Sequence, residues 1–135
     1  MFDVVAAGIV FVCTPVAVWD GDGPIWCEEG PKIRLSGIAA REIDETCKVN
    51  HPCPSASGVA ARDYLVRLLG GSKGTLKTGH IKVRGPAMRC TSYGGGKGAR
   101  TAALCSVAGR DISCEMVRAN VAVRWTKYGG DRLCR

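Results

Sequence analysis

The chain reads as an α+β domain that is mainly β: a small five-stranded barrel carrying two or three helices. Three observations predict it. Short β-branched runs broken by strong turn signals fill the first third of the chain, two amphipathic stretches with helical spacing follow, and no strand–helix–strand alternation runs along the sequence. A length of 135 residues fits one domain, with little room for a second core.

Taken in order, residues 9–19 (IVFVCTPVAVW) are rich in β-branched side chains and form a first strand that ends at Asp20-Gly21-Asp22-Gly23, a strong turn signal. PIWCE is a short second strand, and Glu29-Gly30-Pro31 turns the chain again. KIRLSGI is the third strand, with Ile33 and Leu35 on one face and Lys32, Arg34 and Ser36 on the other. Residues 43–56 are loop by composition. A helix is expected from about Ser57 to Leu69, with Ala61, Tyr64, Leu65, Leu68 and Leu69 as its apolar stripe and Gly70-Gly71 as its end. IKVR and AMRC are strand candidates, TSYGGGKGAR reads as a glycine-rich basic loop, and TAALCSV is a buried strand. A second helix, ISCEMVRAN, is capped by Asp111, and Asn120 suits the left-handed residue that closes it. Three strands, a helix, two or more strands and a helix make a small antiparallel barrel, of which the OB-fold is the leading example.

Aromatic residues are scarce, so the core is expected to be built from Val, Leu, Ile and Ala. The net charge of +7 favours a polyanionic partner, nucleic acid before a membrane surface. The eight cysteines lack CxxC spacing, and with two histidines a zinc knuckle is disfavoured. Their order suggests four local pairs, Cys13 with Cys27, Cys47 with Cys53, Cys90 with Cys105 and Cys114 with Cys134. That is one of on the order of a hundred connectivities. Pairing would place the protein in an oxidising compartment, periplasmic or secreted; the alternative is a set of reduced, buried small hydrophobes. The apolar start, MFDVVAAGIVFVCTPVAV, carries Asp3 and lacks both a basic leader and a small-residue cleavage site. It therefore reads as an incoming strand and neither as a signal nor as a membrane span.

Three polar clusters fall where a barrel would gather its loops: Asp20 with Asp22, Arg34 with Glu42 and Asp44 beyond, and Lys97 with Arg100. Carboxylates from separate loops can hold a hard divalent cation, arginines can take a phosphate, and a nearby glutamate can deprotonate a water. Each piece alone has a plainer reading: Asp-Gly-Asp-Gly as a turn, a strand arginine as a solvated face, a Gly/Lys stretch as a surface loop.

In combination, VAVWDGDG, KIRLSGIAARE, ASGVAARDYLVRLLGG and GARTAALCSVAGRDISCEMVRANVAVRW resemble the staphylococcal nuclease-like, or thermonuclease, family, from about Val12 to Trp125. The resemblance implies an OB-type barrel in a single domain that hydrolyses DNA and RNA phosphodiesters with a divalent cation. That cation is calcium in the first place, with magnesium or manganese as alternatives. By the same resemblance, Asp22 would ligate the metal together with the backbone carbonyl of Ala40. Arg34 and Arg100 would hold the phosphate, and Glu42 would be the general base. The sequence departs from the family pattern at Ala39, where a second metal-ligating aspartate is usual. It also departs at Gly23, where a threonine is usual, and at Gly98-Ala99 before Arg100. Asp20 and Asp44 are candidates to compensate for Ala39, and Arg41 and Lys97 are candidate nucleic-acid contacts. The expected partner is single-stranded or flexible DNA or RNA bound by a monomer, with no membrane. Two other classes stand beside this reading: a catalytically lapsed OB module that binds nucleic acid or protein, and a disulfide-stabilised structural domain.

Overall fold

A computed structural model describes residues 4–135; Met1–Asp3, the start of the segment read as an incoming strand, and the side chain of Lys97 lie outside the described residues. The chain forms strands β1 (Val10–Cys13), β2 (Pro15–Asp20), β3 (Gly23–Cys27), β4 (Lys32–Leu35) and β5 (Ile38–Ala39) before helix α1 (Gly58–Leu68). After α1 come β6 (Ile81–Lys82), β7 (Met88–Gly95), β8 (Thr101–Val107), β9 (Arg110–Asp111), helix α2 (Ile112–Arg118) and β10 (Val123–Arg124).

Eight of these strands make one mixed sheet in the order β1-β7-β8-β4-β3-β2-β6, with β9 on the far end of β8, and β5 pairs separately with β10. This differs from the five-stranded antiparallel barrel expected. The strands are more numerous, no closed barrel is found among the described residues, and β4 runs parallel to β8, with Arg34 opposite Ala102 and Leu35 opposite Ala103. A parallel pair needs a long crossover, which the chain from β5 through α1 to β7 supplies. The first expected strand also divides at Thr14. Its first half pairs with β7 and its second with β3, so β1 and β2 lie toward opposite ends of the sheet although consecutive in sequence. Glu29 pins the break by accepting from the Thr14 amide and hydroxyl, each at 2.7 Å.

The helices begin and end where local chemistry directs. Ser57 Oγ accepts from Ala60 N at 2.9 Å, Glu45 accepts from Gly58 N at 2.7 Å, and Gly70 and Gly71 take positive φ beyond the end of α1. Asp111 caps α2 by accepting from Cys114 N, and Asn120 closes it at φ 60°. Ala61, Leu65 and Val66 of α1 and its C-cap Leu69 share one buried cluster with Ile25, Ile33, Leu35, Met88 and Met116, an aliphatic core as the composition required. The first half of the stretch read as a glycine-rich loop is strand, because β7 continues to Gly95. Its added partner is tertiary: the Ser92 hydroxyl donates to Val5 O and Gly8 N donates to Ser92 O, which sequence pattern does not reveal.

All four local cysteine pairs are disulfides: Cys13–Cys27, Cys47–Cys53, Cys90–Cys105 and Cys114–Cys134. For spacings of 14 to 20 residues, loop-closure entropy makes each worth about 3 kcal/mol, a large supplement to an aromatic-poor core. They fit an oxidising location outside the cytosol. Among the described residues, no helix is long and apolar enough to cross a membrane.

Candidate functional site

Five separated segments meet in one narrow cleft of about 60 Å³. The β2–β3 hairpin contributes Asp20 and Asp22, β4 contributes Arg34, and the residues after β5 bring Glu42. Lys48 and His51 come from the loop that follows, and Arg100 from just before β8. The volume suits a phosphate-sized group rather than a whole nucleoside. A wider depression of about 390 Å³ lined by Asp63, Val66, Arg67 and Ile81 has no comparable set of converging charges.

Packing of small residues buries the hairpin tip. A Cβ on Gly21 would lie 2.5 Å from Ala61 Cβ and 2.9 Å from Ala40 Cβ, so only glycine lets the tip tuck against α1. Gly23 is likewise required, because its φ is +118° and an added Cβ would meet Ile33 O at 2.5 Å. The glycine in place of threonine therefore has a structural cause. Buried by this packing, Asp20 and Asp22 are only 4% and 7% exposed. Asp20 accepts from Asp22 N at 3.1 Å, and its carboxyl is raised to about 10 by burial and then by the charge of Asp22. At neutral pH it is therefore protonated.

Asp22 Oδ2 accepts from Arg34 Nη2 and from Ala40 N, both at 3.2 Å. Arg34 also donates to Leu35 O at 2.9 Å and Ile38 O at 3.4 Å, and its guanidinium lies 5.4 Å from the Trp125 ring centre. The parallel β4–β8 pairing explains why Arg34 and Arg100 share one end of the sheet: Arg34 faces Ala102, two residues beyond Arg100. Glu42 is fixed by Glu42 N donating to Thr46 O at 2.9 Å, and its carboxylate faces Lys48 Nζ at 3.5 Å.

The structure brings Asp20, Asp22, Arg34, Glu42 and Arg100 together and leaves other candidates outside the cleft lining. Arg41, expected to contact nucleic acid, donates instead to Pro54 O and Glu45 O, each at 2.7 Å, and braces the loop. Asp44, expected as a compensating ligand, is an exposed turn cap. Hydrogen bonds from the Thr46 hydroxyl and amide hold its carboxyl below the usual range. Ala40 meets Asp22 through its amide, where its carbonyl had been expected to serve as a ligand. The Lys97 backbone opens a 3-10 turn, Lys97–Ala99, and its side chain is not described.

Sequence reasoning missed Lys48 and His51. Both lie inside the ring closed by Cys47–Cys53, and the His51 ring packs against Trp125 with centres 4.4 Å apart and planes tilted by 51°. Burial, then the charges of Arg34 and Lys48, lower the His51 pKa and keep the ring neutral near pH 7. The available signal was a disulfide-closed loop carrying a lysine and a histidine between Glu42 and α1. Trp19, also missed, edges the cleft at 37% exposure.

The donor set does not fit the hard divalent cation implied by the resemblance, which seeks about six to eight oxygens. Ala39 is packed at 1% exposure opposite Val123, Asp22 Oδ2 is shared by Arg34 and the Ala40 amide, and Glu42 faces an ammonium. Among the described residues, no three His, Cys, Asp or Glu side chains converge as a metal site. What the arrangement can do is hold an anion: with Asp20 and His51 neutral, three cations face two carboxylates. No protein-family model matches the chain, and no curated protein matches it at a significant level.

Proposed function

We propose that the protein is a phosphodiester hydrolase acting on single-stranded or locally open DNA or RNA. Its fold would be the OB-type barrel of the staphylococcal nuclease-like family. The observation that carries the reading is the convergence of Arg34, Arg100 and Glu42, residues 66 positions apart at the extremes, in one phosphate-sized cleft. Supporting the barrel, β1 and β2 are halves of a single bent stretch that pairs with β7 at one end and with β3 at the other.

In this reading the phosphate enters between Arg100 and Lys48, and Lys48 leaves Glu42 to meet it. Glu42, freed of its partner, accepts a proton from a water whose oxygen forms the new bond to phosphorus. The bond from phosphorus to the leaving ester oxygen breaks, and that oxygen takes a proton from solvent. Arg100 and Lys48 stabilise charge on the non-bridging oxygens. Asp22 holds Arg34 in place, and Arg34 holds the β4–β5 backbone that leads to Glu42.

The test is cleavage of labelled single-stranded DNA and RNA by purified protein, compared with Glu42→Gln and Arg100→Ala. The same series is run in EDTA, calcium, magnesium and manganese. Cleavage by wild type well above both variants is expected, and equal residual rates in all three would defeat the proposal. A second reading, a nucleic-acid-binding module without catalysis, is favoured by the commitment of Arg34 to Asp22 and of Glu42 to Lys48. It predicts salt-sensitive oligonucleotide binding with no cleavage in any metal.

A further inference from the structure

We infer that the cleft binds a phosphodiester without a divalent cation, the phosphate being held by Lys48 and Arg100 while Arg34 stands where a cation would. The inference rests on the hydrolase reading above and goes beyond it by removing the metal that the resemblance implies. In a metal-bridged phosphate site, the ion joins an inner carboxylate and backbone carbonyls to the phosphate oxygens. Here the Arg34 guanidinium already makes the inward contacts of such an ion. It touches the Asp22 carboxylate at 3.2 Å, Leu35 O at 2.9 Å and Ile38 O at 3.4 Å, with Trp125 beside it. A guanidinium stays charged at every accessible pH. An incoming ion would have to turn the guanidinium away from Asp22, Leu35 O and Ile38 O and would then sit beside two further cations, Lys48 and Arg100.

The outward contacts fall to residues free to make them. The Lys48 side chain is 48% exposed and needs only to turn from Glu42, 3.5 Å away. Its loop is closed by Cys47–Cys53 and anchored by His51 on Trp125, so presenting the ammonium requires little further ordering of backbone. Arg100 has no carboxylate within 4.0 Å among the described residues, and it stands just before β8, whose Thr101 is in register with Ile33 of β4. Two cations on opposite segments, facing a cleft backed by a third, match the charge of one phosphodiester better than a carboxylate-rich metal cage would.

The experiment is fluorescence anisotropy of a labelled oligothymidylate with wild type, Lys48→Ala and Lys48→Arg, in excess EDTA and in millimolar CaCl2. Calorimetric titration of the protein with CaCl2 and MnCl2 alone is run beside it. Expected are salt-sensitive binding in EDTA that calcium does not strengthen, and no cation site in the micromolar range. Lys48→Ala should weaken binding about tenfold and lower the salt slope by about 0.7, with Lys48→Arg restoring both and melting temperatures unchanged. Binding that appears only with calcium, or a micromolar cation site, would overturn the inference and leave the hydrolase reading standing. Equal binding by Lys48→Ala and wild type would also overturn it. Absence of oligonucleotide binding under every condition would remove both readings.

Discussion

Gly58→Ala tests how the fold positions Glu42. Gly58 is the first residue of α1 and is buried against the turn that carries Glu42. A Cβ there would lie 2.0 Å from Glu42 O, 2.8 Å from Glu42 C and 2.9 Å from Arg41 O. All three atoms are backbone, so no side-chain rotation relieves the clash. Restoring ordinary contact requires the helix terminus and the turn to part by roughly 1.4 Å, which stretches the Glu45 carboxylate away from the Gly58 amide. Overpacking of this kind costs about 1–3 kcal/mol, offset by about 0.4–1 kcal/mol from the smaller backbone entropy of alanine in the unfolded chain. The expected net loss is about 1–2 kcal/mol, read as a fall in melting temperature of roughly 3–8 °C for a domain of this size. A displacement near 1 Å at the proposed general base should also lower cleavage about a hundredfold, far beyond what the stability loss alone produces at 25 °C. The assays are thermal unfolding and single-turnover cleavage on the same preparation. A variant with wild-type melting temperature and rate would refute the packing of α1 on this turn as the device that positions Glu42.

Three further outcomes follow from other contacts. Asp20→Asn should stabilise the protein increasingly as pH rises. The raised Asp20 pKa means that its stabilising contribution is complete below about 3.8 and is lost as pH climbs toward about 10, whereas Asn does not titrate. Denaturant unfolding at several pH values measures the gap, and a gap that does not widen with pH would show that Asp20 is ionised in the fold. Replacing Cys47 and Cys53 together by Ser should cost about 2 kcal/mol, since the ring closes only six residues. It should also weaken oligonucleotide binding through Lys48, which anisotropy checks. Arg41→Ala should cost about 1–3 kcal/mol, because two backbone carbonyls lose a charged donor. It should leave the salt slope of oligonucleotide binding unchanged, unlike Lys48→Ala.

Local chemistry was legible in the sequence wherever it is decided within a few residues. Ser57 and Asp111 cap their helices, Asn120 takes the left-handed turn, Ile33 and Leu35 face inward, and the near-neighbour cysteines pair, because each depends on backbone geometry or spacing over a short span. The strand face of Arg34 and the nearness of Glu42 belong to the same class. Other features depended on partners far away in the chain. The extension of β7 to Gly95 needed Val5 and Gly8, and the meeting of Arg34 with Arg100 needed a parallel β4–β8 pair whose members are more than 60 residues apart. Arg41, Asp44, Lys48 and His51 sit within eleven positions of one another, and all are polar residues in one loop. Only the tertiary structure separates them, because the hydrogen bonds of Arg41 and the Cys47–Cys53 ring turn the first two away and the last two into the cleft. The sequence by itself determined which charges this protein has and which segments carry them. Which of those charges share one small cleft, and so act on one another, was decided by packing over long chain separations.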